Sequence, residues 1–230
     1  MKVFIGWDSR EEIAYEVAKY TIQKYSPDVE VVPVKTQYLG EVYSRKDKLA
    51  SSEFTLTRFL VPYLSNYKGL SLFLDCDILC RTDIRYLLDY INLDNMVSCV
   101  QHDYTPKTKV KMDGQVQHEY PRKNWSSVML FNNEKCKVLT PELVNEAEPS
   151  YLHQMKWAQT AKIGSLPVKW NYLVGYYNNH RDYANILHYT DGGPWFEEYK
   201  NCEYSEEWLR EKNNYEKTCV PSLSRRIRAI

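Results

Sequence analysis

The run Leu70-Ser71-Leu72-Phe73-Leu74-Asp75-Cys76-Asp77 passes from five mostly apolar residues to two acids. A short apolar run of this kind predicts a buried strand. In an open α/β sheet, site residues gather at the carboxyl ends of strands. Residues i and i+2 of an extended segment point to the same side, so Asp75 and Asp77 converge while Cys76 faces into the fold. Two carboxylates side by side repel each other unless a cation lies between them. Hard oxygen ligands favour Mg²⁺ or Mn²⁺, ions that also bind nucleotide phosphates. A solvated turn would also account for the bare triplet. The strand before it is what favours a site.

Upstream, Lys2 to Gly6 predicts a second buried strand, followed by Trp7-Asp8. Ser9-Arg10-Glu11-Glu12 has the form of a capping box that opens a helix. Ile13, Ala14, Val17, Ala18 and Ile22 make its apolar stripe, and Ser26-Pro27 ends it. Val29 to Val34 is the next expected strand, so the opening reads strand–helix–strand with a parallel pair. Phe54 to Leu64 has a helical pattern, with Pro62 weakening its last turn. Downstream, a helix is expected from Asp83 to Tyr90, and strands at Met96 to Val100 and Val128 to Phe131. Helices are expected from Thr140-Pro141-Glu142, over Tyr151 to Thr160, and over Ser205 to Tyr215. A polar, basic stretch from Asp103 to Asn124, with a turn signal at Asp113-Gly114, reads as a long loop or hairpin. The alternation predicts an α/β fold with an open, mostly parallel twisted sheet flanked by helices. Asp8 and the Asp75/Asp77 pair then share one crevice.

Composition fits a folded enzyme-sized domain. The chain has 230 residues, 43 % hydrophobic and 26 % charged, with zero formal net charge. That balance points to neither a nucleic-acid nor a membrane partner. The 20 tyrosines and six tryptophans offer flat apolar faces with polar handles, which suits sugar binding as well as core packing. The six cysteines show no zinc spacing. Met1-Lys2 leads straight into a strand, and no stretch is long and apolar enough to span a bilayer. A cytoplasmic location with reduced thiols is the expectation.

A lone histidine, His188, stands in Ile186-Leu187-His188-Tyr189-Thr190-Asp191-Gly192-Gly193-Pro194-Trp195. Packing would explain it alone, but the Asp191-Gly192-Gly193 turn leaves backbone bare enough to approach a phosphate.

Together these motifs, over roughly Lys2 to Trp195, resemble glycosyltransferase family 8, the group of glycogenin and bacterial lipopolysaccharide galactosyltransferases. The resemblance implies a GT-A fold and a retaining hexosyltransferase using Mn²⁺, with Mg²⁺ possible, and a nucleotide-sugar donor, usually a UDP-sugar. It implies that Ile5-Gly6-Trp7-Asp8 ends the uridine-binding strand, with Asp8 near the base or ribose. Thr57-Arg58-Phe59 is similar to the family's Ala-Arg-Leu segment, whose Arg reaches the donor. Leu72 to Asp77 resembles its Tyr-Leu-Asp-x-Asp element, making Asp75, Cys76 and Asp77 donor-site residues and Asp75 and Asp77 metal ligands. Trp125 to Asn132 stands where members read Asn-Ala-Gly-Val-Leu-Leu-Ile-Asn. His153-Gln154 corresponds to an Asp-Gln pair, with Gln154 near the reacting carbon. His188 to Trp195 resembles His-x-x-Gly-x-x-Lys-Pro-Trp, which implies that His188 is the third metal ligand and Gly192 a donor contact.

The departures are specific. The last motif is one residue shorter, and Gly193 stands before Pro194 where the family has a diphosphate-binding Lys. Trp125, Ser126, Ser127 and His153 replace Asn, Ala, Gly and Asp. Lys107, Lys109, Lys111, Arg122 and Lys123 are the candidates for the missing charge, although such a run also suits a solvated loop. The expected organisation is one domain over 1–230. Its nucleotide-binding half covers about 1–100, an acceptor and metal-completing half about 101–200, and a helical tail 201–230. The expected partners are a nucleotide-sugar donor and a glycan, lipid-linked or protein acceptor. The short basic end, Ser222 to Arg228, is too brief to argue for a membrane contact. A nucleotidyltransferase or phosphohydrolase would also want paired carboxylates, and a sugar- or nucleotide-binding protein without turnover would tolerate the missing Lys.

Overall fold

The computed structural model describes residues 1–45, 52–103, 121–177 and 183–219. The lysines at 107, 109 and 111, the Asp113-Gly114 turn and the basic end at 222–228 lie outside them. Five strands build most of the large sheet: β1 (Lys2–Gly6), β2 (Val31–Val34), β3 (Leu70–Leu74), β5 (Val97–Val100) and β7 (Ile163–Leu166). The sixth, β6 (Val128–Asn132), runs antiparallel between β3 and β5, giving the order β2-β1-β3-β6-β5-β7. The sheet is therefore mostly parallel, as expected. Leu72, Phe73 and Leu74 of β3 have no exposed surface, and burying each contributes on the order of 1.5–3 kcal/mol.

Helix α1 (Glu12–Tyr25) joins β1 to β2, burying Ala14, Val17, Ala18 and Ile22 of its expected stripe. The entry to this helix differs from the capping-box reading. Asp8 caps a short 3-10 turn over Ser9–Glu11 by accepting from the Arg10 backbone N–H. Asp8 sits one residue earlier, at the strand end, where its carboxylate already faces the turn's open N–H groups. The segment read as a helix from Phe54 to Leu64 is a 3-10 turn, Thr57–Leu60, running into the short helix α2 (Val61–Leu64). The expected Asp83–Tyr90 helix is 3-10 over Ile84–Tyr90. Thr140 caps α3 (Pro141–Glu146) as expected. The helix expected over Tyr151 to Thr160 is only α4 (Pro149–His153), because Met155 takes a positive φ of 52°. Helix α5 (Ser205–Cys219) packs on α1 through Lys24 and Glu211, 2.8 Å apart.

Sequence reading did not anticipate a second, three-stranded sheet. Strand β4 (Ile78–Cys80) begins directly after Asp77, and pairs antiparallel with β9 (Ile186–His188). Strand β8 (Tyr172–Leu173) pairs parallel with β9 on its other side. The chain thus crosses from one sheet to the other at Asp75-Cys76-Asp77. Leu79, Tyr172, Leu187 and Tyr189 form a smaller core there with Trp208 of α5. Among the described residues no helix is long and apolar enough to cross a membrane.

Candidate metal and donor site

The register of the small sheet brings the acids and the histidine together. Ile78 pairs with His188, and Tyr189 N–H donates to the Asp77 carbonyl at 2.9 Å. One ligand atom each from Asp75, Asp77 and His188 lies within 4.8 Å of the others. His188 Nε2 is 3.3 Å from Asp77 Oδ1. Asp77 and His188 are buried, and Asp75 is partly so.

The tautomer of His188 follows from its other nitrogen. The Asn171 Nδ2 group donates to Ser127 Oγ at 2.8 Å and to the Asn124 carbonyl at 3.3 Å. Asn171 Oδ1 therefore faces His188 Nδ1, at 2.8 Å. Nδ1 carries the proton, and in the neutral ring Nε2 presents its lone pair toward Asp77. This is the outer support that a metal-binding imidazole needs. Two carboxylates and an oriented imidazole form a donor set that suits a divalent cation.

Asp75 is held by charge. Arg58 Nη1 lies 2.7 Å from Asp75 Oδ1 and also donates to the Ser126 carbonyl, while Arg58 Nε donates to the Thr55 carbonyl. The guanidinium lies beside the rings of Phe54 and Phe73. Arg58 is thus the buried partner of an acid at a strand end. Cys76 points inward as the alternation required, and has no exposed surface. Burial pushes its thiol well up, and the charges of Glu11, Asp77, Asp75 and Asp8 add to the effect.

Asp8, buried just past the end of β1, is not one of the three converging groups. Its Oδ1 accepts from Arg10 N and Nε, and its Oδ2 from Arg10 Nη2 and Glu53 N. Burial raises its pKa, but those hydrogen bonds and the Arg10 charge outweigh it and hold the carboxyl below its usual range. Gln154 is half-buried at the end of α4, where its backbone carbonyl accepts from Arg122 Nη1 at 2.7 Å. It connects to the cluster through its neighbour: His153 Nδ1 lies 2.9 Å from Ser126 Oγ, and the Ser126 carbonyl meets Arg58. Ser126 and His153, two of the departures from the family pattern, are therefore partners. A third, Trp125, donates its indole N–H to the His102 carbonyl.

The turn after His188 is tightly built. Gly192 has φ 131° and donates to the Tyr189 carbonyl. A Cβ on Gly193 would lie 2.0 Å from the Trp195 ring. With Trp195 in that place, no lysine fits at 193 unless the indole moves. Asn124 fixes Thr190, and Tyr176 fixes Asp191. Of the nominated basic residues that are described, Arg122 is anchored to Gln154 and Thr160, beside the Trp125 ring.

Sequence reasoning missed two polar residues here. Asn171 follows a 3-10 turn, Val168–Trp170, and opens a two-residue strand, too short to leave a periodicity signal. His102 lies just past the end of β5, where the strand-end rule could have found it. It is buried, with Nδ1 2.6 Å from Tyr177 Oη. Burial, with the nearby His188 adding, lowers its pKa to about 3.

No protein-family model matches the chain. Protein CDI of Arabidopsis thaliana is 43% identical over 226 residues, covering 94% of this chain and 87% of that protein. Among solved structures, the bifunctional glycosyltransferase WbbM superposes with a TM-score of 0.64 at 15% identity, covering 93% of this chain. The chain spans only 50% of WbbM. The galactosyltransferase LgtC, solved with donor and acceptor sugar analogues, gives a TM-score of 0.56 at 15% identity, covering 93% of this chain and 96% of that one. The fold is thus that of the GT-A glycosyltransferases.

Proposed function

The chain belongs to the same family as Protein CDI of Arabidopsis thaliana, and we propose that it is a metal-dependent glycosyltransferase acting on a nucleotide-sugar donor. The observation that carries this is the convergence of Asp75, Asp77 and an Nε2-presenting His188 on a GT-A fold. We read the chain as one domain with a cytoplasmic location, a hexose of a UDP-sugar as the transferred group, and a glycan, lipid-linked or protein acceptor.

In this reading Asp75, Asp77 and His188 hold Mn²⁺, or Mg²⁺ in its place. The bound ion supplies positive charge to the diphosphate as it leaves. Arg58 would hold Asp75 in place through Oδ1, and the Gly192-Gly193 backbone would turn toward the phosphates. Asp8 ties Arg10 to Glu53 and so shapes the nucleoside end. Cys76 packs beneath the donor. Gln154 borders the reacting carbon. Its amide is a poor nucleophile, so attack from the leaving-group face is favoured over a covalent enzyme intermediate. The acceptor oxygen bonds to the anomeric carbon as the bond from that carbon to the diphosphate oxygen breaks. The hydroxyl proton passes to the departing phosphate, and the configuration is retained.

The test is incubation with Mn²⁺ and a panel of nucleotide sugars, following release of free nucleotide. Metal-dependent release of nucleoside diphosphate with one donor is the expected result. Release of pyrophosphate or inorganic phosphate would indicate nucleotidyl transfer or phosphohydrolysis instead. Tight donor binding without release, across candidate acceptors, would indicate a binding protein.

A further inference from the structure

Glu11 is 1 % exposed at the entrance to α1. Its two oxygens face two different loops. Oε2 accepts from the Cys76 thiol, 3.8 Å away, between Asp75 and Asp77. Oε1 accepts from the Trp195 indole N–H at 3.3 Å. The Trp195 ring lies over Gly193, so closely that a Cβ there would collide with it. It also packs on Tyr189 and Trp208, with ring centroids 5.8 and 5.0 Å away. Trp195 is therefore clamped between the glycine turn, the small core and one carboxylate. A carboxylate with so little exposed surface is costly unless hydrogen bonds hold it. This one is held by the loop that crosses between the sheets and by the turn that follows β9.

We propose that Glu11 is a positioning residue that sets the spacing between the Asp75-Cys76-Asp77 loop and the Gly192-Gly193 turn. Both then face the same diphosphate. The inference rests on the diphosphate reading above, but the coupling it describes belongs to the protein alone. Glu11 touches neither metal nor sugar; it acts through Cys76 on one side and Trp195 on the other. The shortened turn also gains an explanation. With Trp195 drawn toward Glu11, position 193 has room only for glycine.

The experiment compares the full chain with Glu11→Gln, Glu11→Ala and Trp195→Phe. Hydrogen exchange is followed in the segments 75–77 and 191–195 without metal, and UDP binding is measured by calorimetry with Mn²⁺. In Glu11→Ala, exchange should rise in both segments while β1 stays protected. UDP affinity should fall about ten-fold or more, as for other residues that orient ligands from behind. Glu11→Gln, whose amide oxygen still accepts from the indole, should recover most of that affinity. Trp195→Phe should loosen 191–195 alone. Unchanged exchange in either segment of Glu11→Ala would overturn the proposal, as would undiminished UDP affinity. If the unaltered chain binds no UDP, the diphosphate reading fails, and the exchange data alone decide whether Glu11 ties the loops. If Glu11→Ala does not fold, Glu11→Gln and Trp195→Phe decide. Trp195→Phe must then loosen 191–195 and weaken UDP, and no change in either would overturn the proposal.

Discussion

Asp75 follows a strand of the large sheet that is buried from Ser71 to Leu74, and is gripped by a full charge, Arg58 Nη1 at 2.7 Å. His188 ends a three-residue strand of the small sheet and is steered by a neutral amide, Asn171 Oδ1 at 2.8 Å. The two supports do different work. A guanidinium keeps a carboxylate ionised and fixes one of its oxygens. An amide fixes a tautomer without adding charge. The pairing of β4 with β9 brings these separately supported groups to one place. The site is therefore a seam between two sheets, and each side can be broken on its own.

The largest effect is expected from the proposed ligands. Asp77→Ala and His188→Ala should each lower turnover with the preferred donor by on the order of 10²–10³, the loss typical of a preorganised group that stabilises developing charge. Steady-state assays with circular dichroism as a folding control check this. Full activity in either variant would remove that residue from the site.

Next comes Arg58→Ala, which separates the charged side from the neutral one. It leaves Asp75 without its guanidinium in a largely buried place. Stability should fall by about 3–5 kcal/mol, as for other buried pairs with one partner removed, read from urea denaturation. A loss below about 1 kcal/mol, the range of exposed pairs, would mean that Asp75 does not depend on Arg58.

Asn171→Ala should act on the other side, with metal affinity lower by roughly 10–100-fold and a smaller change in stability. Mn²⁺ titration reads the first and thermal melting the second. If stability falls and metal affinity does not, Asn171 serves only packing.

The last effect is one of pH. The folded pKa of His102, about 3, lies below the ordinary imidazole value of 6.5, so the unfolded chain takes up the proton first. The stability contributed by neutral His102 is complete above about pH 6.5. It is lost as pH falls toward 3, by on the order of 1 kcal/mol per unit. Urea denaturation at several pH values should show a shallower acid slope for His102→Gln. Equal slopes would contradict it.

The contrast between the two sides also explains what could be read in advance. Strands β1, β3, β5 and β6 are apolar runs long enough to show, and Asp75 and Asp77 follow one of them. Alternation alone puts both acids on one side and turns Cys76 inward. His188 was found only through the motif around it, because β9 has three residues and β8 two. Elements so short are held by tertiary pairing and carry no periodicity of their own. Asn171 was invisible for that reason. The helix expected through Thr160 failed because Met155 adopts a left-handed backbone that no local pattern announced. Asp8, expected near the base or ribose, accepts from Arg10 and Glu53; strand-end position marks a polar residue without naming its partners.

The central claim is that Asp75, Asp77 and His188 bind one divalent ion carrying the donor diphosphate. Pulsed electron paramagnetic resonance of Mn²⁺ bound to the protein with UDP tests it most directly, because an imidazole nitrogen in the first shell couples to the electron spin. The account predicts nitrogen and phosphorus couplings together in the unaltered protein, with the nitrogen coupling lost in His188→Gln. Bound Mn²⁺ without nitrogen coupling, or nitrogen coupling that persists in His188→Gln, would contradict it.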